Sequence, residues 1–445
     1  MRSLLALLVL LLIPAAANAI TVKTVDSPQG VETWLSEEHS FPMIAVNISL
    51  PAGSAYDASG KAGLAAMTAS LLDEGAGDLT GDAYKQALES RAIRLQAQAE
   101  RDFLVITVTM LKENADEGMR LIALALQHPR FDADAIERMR AAQLANLQQE
   151  DEEPSRIAIK AWSNAYFGNH PYAHPINGTP ESVKAITAAD IKSFVADHFV
   201  RDRVKVAISG DLTPAQVQKY LQQLFAPLPA KVVPLPPKPA ETAKPGMQTI
   251  AMDEAAPVAI FGFAGPMRAD PDFMQAYVAN YIFGGGGFSS RLMDEVRDKR
   301  GLTYGISMQL QDFRSSSIIV GNVQSQKAKV ATALDVTKSE MARFVKDGAT
   351  EKELSDAKTF LIGSFALQFD SNAKIARNLN GFQRSGLGPD YVEKRNAMIQ
   401  AVTLQQVNAM SKKYYDPAKL VIVMAGTPAP AQGAPGKTAP PAEKR

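Results

Sequence analysis

One interval constrains this chain more than any other feature. The segment ITAADIKSFVADHFVRDRVKVAISGD from Ile186 is matched by VTLQQVNAMSKKYYDPAKLVIVMAGT from Val402. Thr187 and Thr403 stand 216 positions apart, and Gly210 and Gly426 keep the same interval. In each segment a Thr cap opens an amphipathic helix that ends in aromatic residues, and a turn, a β-branched strand and a final glycine step follow. A register that survives without a gap through cap, helix and strand is the mark of two copies of one domain. Each copy must therefore close its core with the same order of elements.

Upstream, each copy starts with strands. IAVNISLPAGSAYD from Ile44 and VAIFGFAGPMRAD from Val258 alternate apolar with small or polar residues before a helix. Residues 103–111 and 315–324 read as further strands, followed by long helices over 114–126 and 327–346. Strands, then helices, then a last strand predict an α+β fold of two tandem homologous domains, each a mostly antiparallel sheet packed with helices. A doubly wound parallel fold would need more regular alternation. The domains are expected at 20–229 and 247–426. Between them, AKVVPLPPKPAETAKPG at 230–246 is rich in prolines that deny ladder and helix hydrogen bonds, so it reads as an extended, semi-rigid linker. The Pro- and Ala-biased tail at 427–445 reads as disordered.

Residues 1–19 combine Arg2, an apolar run at 4–13 and the A-x-A site Ala17-Asn18-Ala19. This predicts a secretory signal peptide cleaved after Ala19, and hence a periplasmic protein without stable membrane insertion. The alternative, an N-terminal anchor, would need about 20 apolar residues. Lys plus Arg and Asp plus Glu both number 47, so no global field points to nucleic acid or an anionic membrane. Cysteine is absent, which excludes a thiol nucleophile, disulfides and a thiolate metal site. A metal would have to use His, Asp or Glu. The histidines are His39, His128, His170, His174 and His198. His170 and His174 have the spacing of a helical pair, but Pro171 and Pro175 forbid helical facing, and the segment reads as a loop with solvent-facing imidazoles. The acidic run at 150–153 reads as a solvated helix end. GKT at 436–438 lacks the first glycine of a P-loop and a preceding strand. Gly284, Gly285, Gly286 and Gly287 lack the third glycine of a dinucleotide fingerprint. They read as a turn that lets backbone approach a peptide, with a structural hairpin or helix cap as the alternative.

The same glycines open FGGGGFSSRLMDEVRDKRGLTYGI, from Phe283, which resembles the C-terminal half of the pitrilysin, insulinase and mitochondrial processing peptidase family. These are zinc peptidases with an inverted H-x-x-E-H motif. LPAGSAYD, the AGLA frame at 62–65, FGNHPYAHPINGTPESV from Phe167 and ISGD from Ile208 follow the family order across nearly the whole mature chain. The resemblance implies that Arg297, and Tyr304 seven residues later, bind substrate. Without it the two would read as a surface helix ion pair with Asp294 or Asp298 and a core tyrosine. It also implies that the two zinc histidines and the general-base glutamate fall on Ala66, Ser70 and Ala69, and the third ligand near Ala145 or Asn146. Alanine, serine and asparagine supply neither the ligand set nor the base that a zinc-bound water requires. No catalytic zinc is expected in this chain.

A chain that keeps the Arg and Tyr half of a site but lacks the metal half resembles the non-catalytic subunit of heterodimeric members of this family. The resemblance then implies a homologous H-x-x-E-H partner that carries Zn, peptide substrates, and a clam-shell chamber of which this chain forms half. A non-enzymatic scaffold or binding protein of the same fold is the rival from another class. An autonomous hydrolase with a different site is a third reading, and no G-x-S-x-G element supports it.

Overall fold

The computed structural model describes residues 20–240 and 243–428. The expected signal peptide, GKT at 436–438 and nearly all of the expected tail lie outside the described residues.

The first half begins with β1 (Lys23–Val25), β2 (Glu32–Glu37), β3 (Met43–Leu50) and the helix α1 (Leu64–Ser70). A small hairpin of β4 (Gly75–Ala76) and β5 (Leu79–Thr80) leads to α2 (Gly81–Glu89), β6 (Arg94–Ala99) and β7 (Leu104–Leu111). Next come α3 (Ala115–Gln127), α4 (Ala133–Glu152), α5 (Pro154–Phe167), α6 (Pro180–Ala185) and α7 (Ala188–His198). The half closes with β8 (Lys205–Gly210) and α8 (Pro214–Phe225). In the second half, β9 (Gly246–Ile250), β10 (Val258–Ala264), α9 (Phe273–Asn280), β11 (Gly305–Asp312) and β12 (Ser317–Gln324) come first. They are followed by α10 (Val330–Asp347), α11 (Glu351–Gly363), α12 (Asn372–Arg384), α13 (Tyr391–Gln400), α14 (Leu404–Tyr414) and β13 (Val421–Ala425).

The large sheets run β1-β2-β8-β3-β7-β6 and β9-β13-β10-β12-β11. Apart from β1, the two orders coincide place for place. β2 lies parallel to β8 and β9 parallel to β13, whereas the other neighbours in both sheets are antiparallel. The repeat is equally plain locally. Thr187 accepts from the Asp190 N–H and Thr403 from the Gln406 N–H, each returned by the partner side chain as a capping box, and both helices are 11 residues long.

In β3 every residue from Ile44 to Leu50 is buried, so both faces of the first sheet are covered. One face carries its own helices. The other carries α12, from the second half, whose Ile375 and Leu379 pack on Trp34 and Ala207. Reciprocally, α5 of the first half lies on the second sheet, with Ala158 and Trp162 against Ile260, Val421 and Val423. Trp162 Nε1 donates to the Val421 carbonyl at 2.9 Å, and Asn380 Nδ2 donates to the Lys205 carbonyl at 3.0 Å. Lys205 and Val421 open the closing strands of the two sheets and are themselves 216 positions apart. A Cβ at Gly262 would stand 2.8 Å from the Trp162 ring and 2.7 Å from the Ile319 carbonyl, so glycine there is what lets the indole lie on the sheet.

Residues 230–240 and 243–245 form neither helix nor strand, yet the segment is fastened. Val233 is buried, and the Pro236 carbonyl accepts from Ser315 Oγ at 2.7 Å. His170 corrects the expectation of solvent-facing imidazoles. It is buried, with Nδ1 accepting from the Tyr172 N–H at 3.1 Å and Nε2 2.7 Å from the Pro237 carbonyl. The proline-rich segment folds back over the loop and withdraws this ring from water.

Asn380 has no exposed surface, and its Oδ1 also accepts from buried Ser49 Oγ. Asn380→Ala should therefore leave several buried polar groups unpaired and lower stability by about 1–3 kcal/mol in urea unfolding. Trp162→Phe, which keeps a ring but removes one hydrogen bond to Val421, should cost about 0.5–1.5 kcal/mol from the bond plus any loss of packing. Because the helices are exchanged, intrinsic probes placed in either half should report the same shifted transition.

Candidate functional site

α1 is held at its N-terminus by a nearby carboxylate and by a side chain from a distant helix. Asp57 accepts from the Gly63 and Ala65 N–H groups at 2.8 Å each, and burial pushes its carboxyl up to about 7. Gln143 of α4 donates to the Gly63 carbonyl at 3.3 Å and to the Asn177 carbonyl at 2.8 Å. The helix that would bear zinc ligands is thus kept in place, beside the helix that would bear the third.

What α1 presents is not a ligand set. Ala69 is buried, Ala66 and Ser70 are half-buried, and Ser70 Oγ donates back to the Met67 carbonyl at 2.9 Å. Ala69 and Ser70 line a cleft of about 650 Å³ bounded by β6, β7, Met139 of α4 and Arg377 of α12. Asp73 and Glu74 also line this cleft, and Lys85 and Arg138 engage the two oxygens of Glu74 at 2.5 and 2.6 Å. Burial works against its charge, and these two cations more than offset that, holding it below the usual carboxylate range. Ala145 and Asn146 are exposed on α4. Among the described residues no group of three or more His, Asp or Glu side chains is arranged to hold a metal. His39 sits with Glu37 and Asp211 at the surface, and His198 is wedged between Tyr56 and Phe194. The residues of the cleft do not fit catalytic zinc, and no hydrolytic step runs through this chain's α1.

In the second half, the chain after α9 makes a π-helical turn at Tyr281–Gly285 and a 3₁₀ turn at Gly287–Ser289 before a second π-helical stretch, Met293–Asp298. Gly284 is buried, and a Cβ there would stand 2.7 Å from that of Met308 on β11. Internal packing against β11 is thus enough to require glycine there. Gly285 and Gly286 are half-buried, and Gly287 is exposed in a left-handed conformation. Arg297 pairs with Asp298 at 2.6 Å, the surface pair that the residues alone suggest, and its guanidinium also lies 5.0 Å from the Phe288 ring centroid. Tyr304 is no core tyrosine. It is 91% exposed, its hydroxyl makes no hydrogen bond within the described residues, and it borders a cleft of about 560 Å³ with Ser307, Asn322 and Gln324. Phe288, 72% exposed, was not singled out by sequence reasoning. Its place in the glycine-rich turn ahead of a basic helix was the available signal.

Comparisons with known proteins agree with this geometry. Residues 33–180 match the family model described as "Insulinase (Peptidase family M16)", and residues 185–361 match "Peptidase M16 inactive domain". A Helicobacter pylori protein described as "Non-peptidase homolog YmxG" is 26% identical over 399 residues, covering 89% of this chain and 92% of the relative. A crystal structure of a Pseudomonas fluorescens protein, described as a peptidase M16 inactive domain, superposes with a TM-score of 0.87 at 30% identity, covering 93% of this chain and 99% of that one. A chain in the Candida albicans complex III structure shares the fold, with a TM-score of 0.76 at 17% identity over 92% of this chain and 96% of its own length. With its two-domain fold and an α1 that carries no zinc ligand, the chain belongs to the insulinase (M16) peptidase family as a non-catalytic member.

Proposed function

We propose that this chain is the non-catalytic, substrate-binding subunit of a heterodimeric periplasmic zinc metallopeptidase. Its partner is a homologous H-x-x-E-H subunit that carries the Zn, and the two together enclose peptides in a clam-shell chamber. The observation that carries this reading is the contrast between the two halves of the site. α1 keeps its supports but presents Ala66, Ala69 and Ser70, while Tyr304 stands fully formed at the surface with no partner of its own. A phenol that exposed has no role in this chain's core, and it suits a donor meant for a group outside the chain. With Arg297 it would hold a substrate carbonyl and stabilise the oxyanion that develops there. The signal peptide predicted at 1–19 supports the periplasmic assignment. Among the described residues no helix is long and apolar enough to cross a membrane. The likeness to a chain of the Candida albicans complex III structure is a likeness of fold alone.

The purified chain should contain no stoichiometric zinc by elemental analysis and cleave no peptide alone. Ala66→His, Ala69→Glu and Ser70→His together should still bind no zinc that survives chelation, because α4 lacks the third protein ligand. Mixed with its H-x-x-E-H partner, the chain should form a 1:1 complex burying on the order of 2,000 Å² or more, with peptidase activity that neither subunit shows alone. A partner equally active without this chain would refute the reading. In the intact complex, Arg297→Ala and Tyr304→Phe should each lower kcat by about 10²–10³ with a smaller effect on KM, since donors to an oxyanion act mainly on the chemical step.

A further inference from the structure

A cavity of about 550 Å³ opens where the β6–β7 connection of the first domain meets the β11–β12 connection and the end of α12 from the second. Arg101, Arg268, Arg314 and Arg384 line it. Against these four arginines stand three carboxylates, Glu100, Asp102 and Asp312, so one positive charge is left over. The acids are largely committed. Glu100 pairs with Arg384. Asp102 accepts from the Tyr172 hydroxyl at 2.6 Å and the Arg314 backbone N–H at 3.0 Å, and Asp312 accepts from the Arg268 backbone N–H at 3.3 Å. Arg101 is also committed, to the carbonyls of Tyr172 and His174.

Arg268 and Arg314 are different, because their guanidinium groups make no ion pair or hydrogen bond within the described residues. Each is instead held against a ring: Arg268 at 4.1 Å from the Phe273 centroid, Arg314 at 5.5 Å from that of Phe103. Phe103 also has Arg384 at 5.6 Å, and the Nε of Arg384 is buried without an acceptor. A guanidinium that rests near a ring and makes no hydrogen bond keeps its N–H groups free, and its planar fork matches a carboxylate in two parallel hydrogen bonds. Buried donors without acceptors are rare in native structures, so the Nε of Arg384 marks a place in this cavity where a polar partner would fit, beside the part-exposed Arg268 and Arg314.

We propose that this interdomain cavity binds a carboxylate of a peptide, held by Arg268 and Arg314. The peptide class rests on the function proposed above, whereas the carboxylate chemistry rests on the cavity alone. A surplus of one charge suits a singly charged carboxylate better than a phosphate dianion. The distance also fits. β11 is an edge strand, and shallow cavities that share Ser307 and Gln311 follow it from Tyr304 to the arginines. From Tyr304 to Asp312 an extended chain covers about 26 Å, so a peptide engaged at Tyr304 would reach the cavity about eight residues away.

The test is calorimetric titration of the full mature chain with three N-acetylated octapeptides of glycine, alanine, serine and glutamine. One has a free C-terminal carboxylate, one a C-terminal amide, and one an amide with a single internal glutamate. At least one acidic form should bind about tenfold or more tightly than the neutral amide. Preference for the free acid identifies a C-terminal carboxylate as the ligand, and equal binding of the glutamate peptide identifies acidic side chains. Arg314→Gln, whose side chain makes no hydrogen bond in the protein, should abolish the preference while leaving the thermal melt unchanged. Arg268→Gln should do the same. Equal binding of all three peptides, no binding, an unchanged preference in Arg314→Gln, or stronger competition by inorganic phosphate than by acetate would each overturn the proposal. The titration needs no partner subunit, so it can fail while the heterodimer stands, or succeed while the heterodimer fails.

Discussion

The exchange of α5 and α12 is the contact on which the rest of the structure depends. A sheet buried on both faces needs two helical layers, and each half of this chain supplies its own sheet with only one. The second layer is a single helix lent by the other half. Its apolar residues give the exchange most of its free energy, through Trp162 on one side and Ile375 and Leu379 on the other. Its polar residues give it a register. Trp162 and Asn380 each donate to the first carbonyl of the closing strand they lie on, at Val421 and Lys205. Neither helix could shift by a turn without leaving a carbonyl and a buried donor unpaired.

This exchange also decides what the clefts are made of. Because α12 crosses the first sheet, Arg377 borders the cleft beside α1, although it lies more than 300 positions away in the chain. Because α12 ends between the two strand connections, Arg384 reaches Glu100 and the face of Phe103. Both clefts are therefore joint products of the two domains. A change in how the halves sit together would alter each of them before it disturbed either sheet.

The loss of the metal half is physically undemanding. A buried glutamate at position 69 without a metal beside it would carry an uncompensated charge, whereas Ala69 packs at 3% exposure in the main core of its domain. The supports of α1, Asp57 and Gln143, serve the packing of this corner whether or not a ligand set is present. The frame can outlast its chemistry because the two draw on different residues.

Much of this was legible in the residues alone. The 216-residue interval, the two Thr capping boxes and the β-branched runs specify two copies of an α+β domain, because caps and alternation act over a few residues and need no distant partner. The family resemblance places the zinc-ligand and base positions on Ala66, Ala69 and Ser70, and side-chain chemistry then argues against zinc there wherever the helix lies. What the tertiary structure alone decided depends on which segments meet. His170 is buried because a proline-rich segment 67 positions away covers it, and Gly284 is spent on packing because β11 passes beneath it. Tyr304 is exposed where the chain enters β11, the edge strand of its sheet. The four arginines, spread from position 101 to position 384, share a cavity only because two strand connections and the end of an exchanged helix converge there. Burial and charge environment are set by contacts between remote parts of the chain, and no local pattern of residues encodes them.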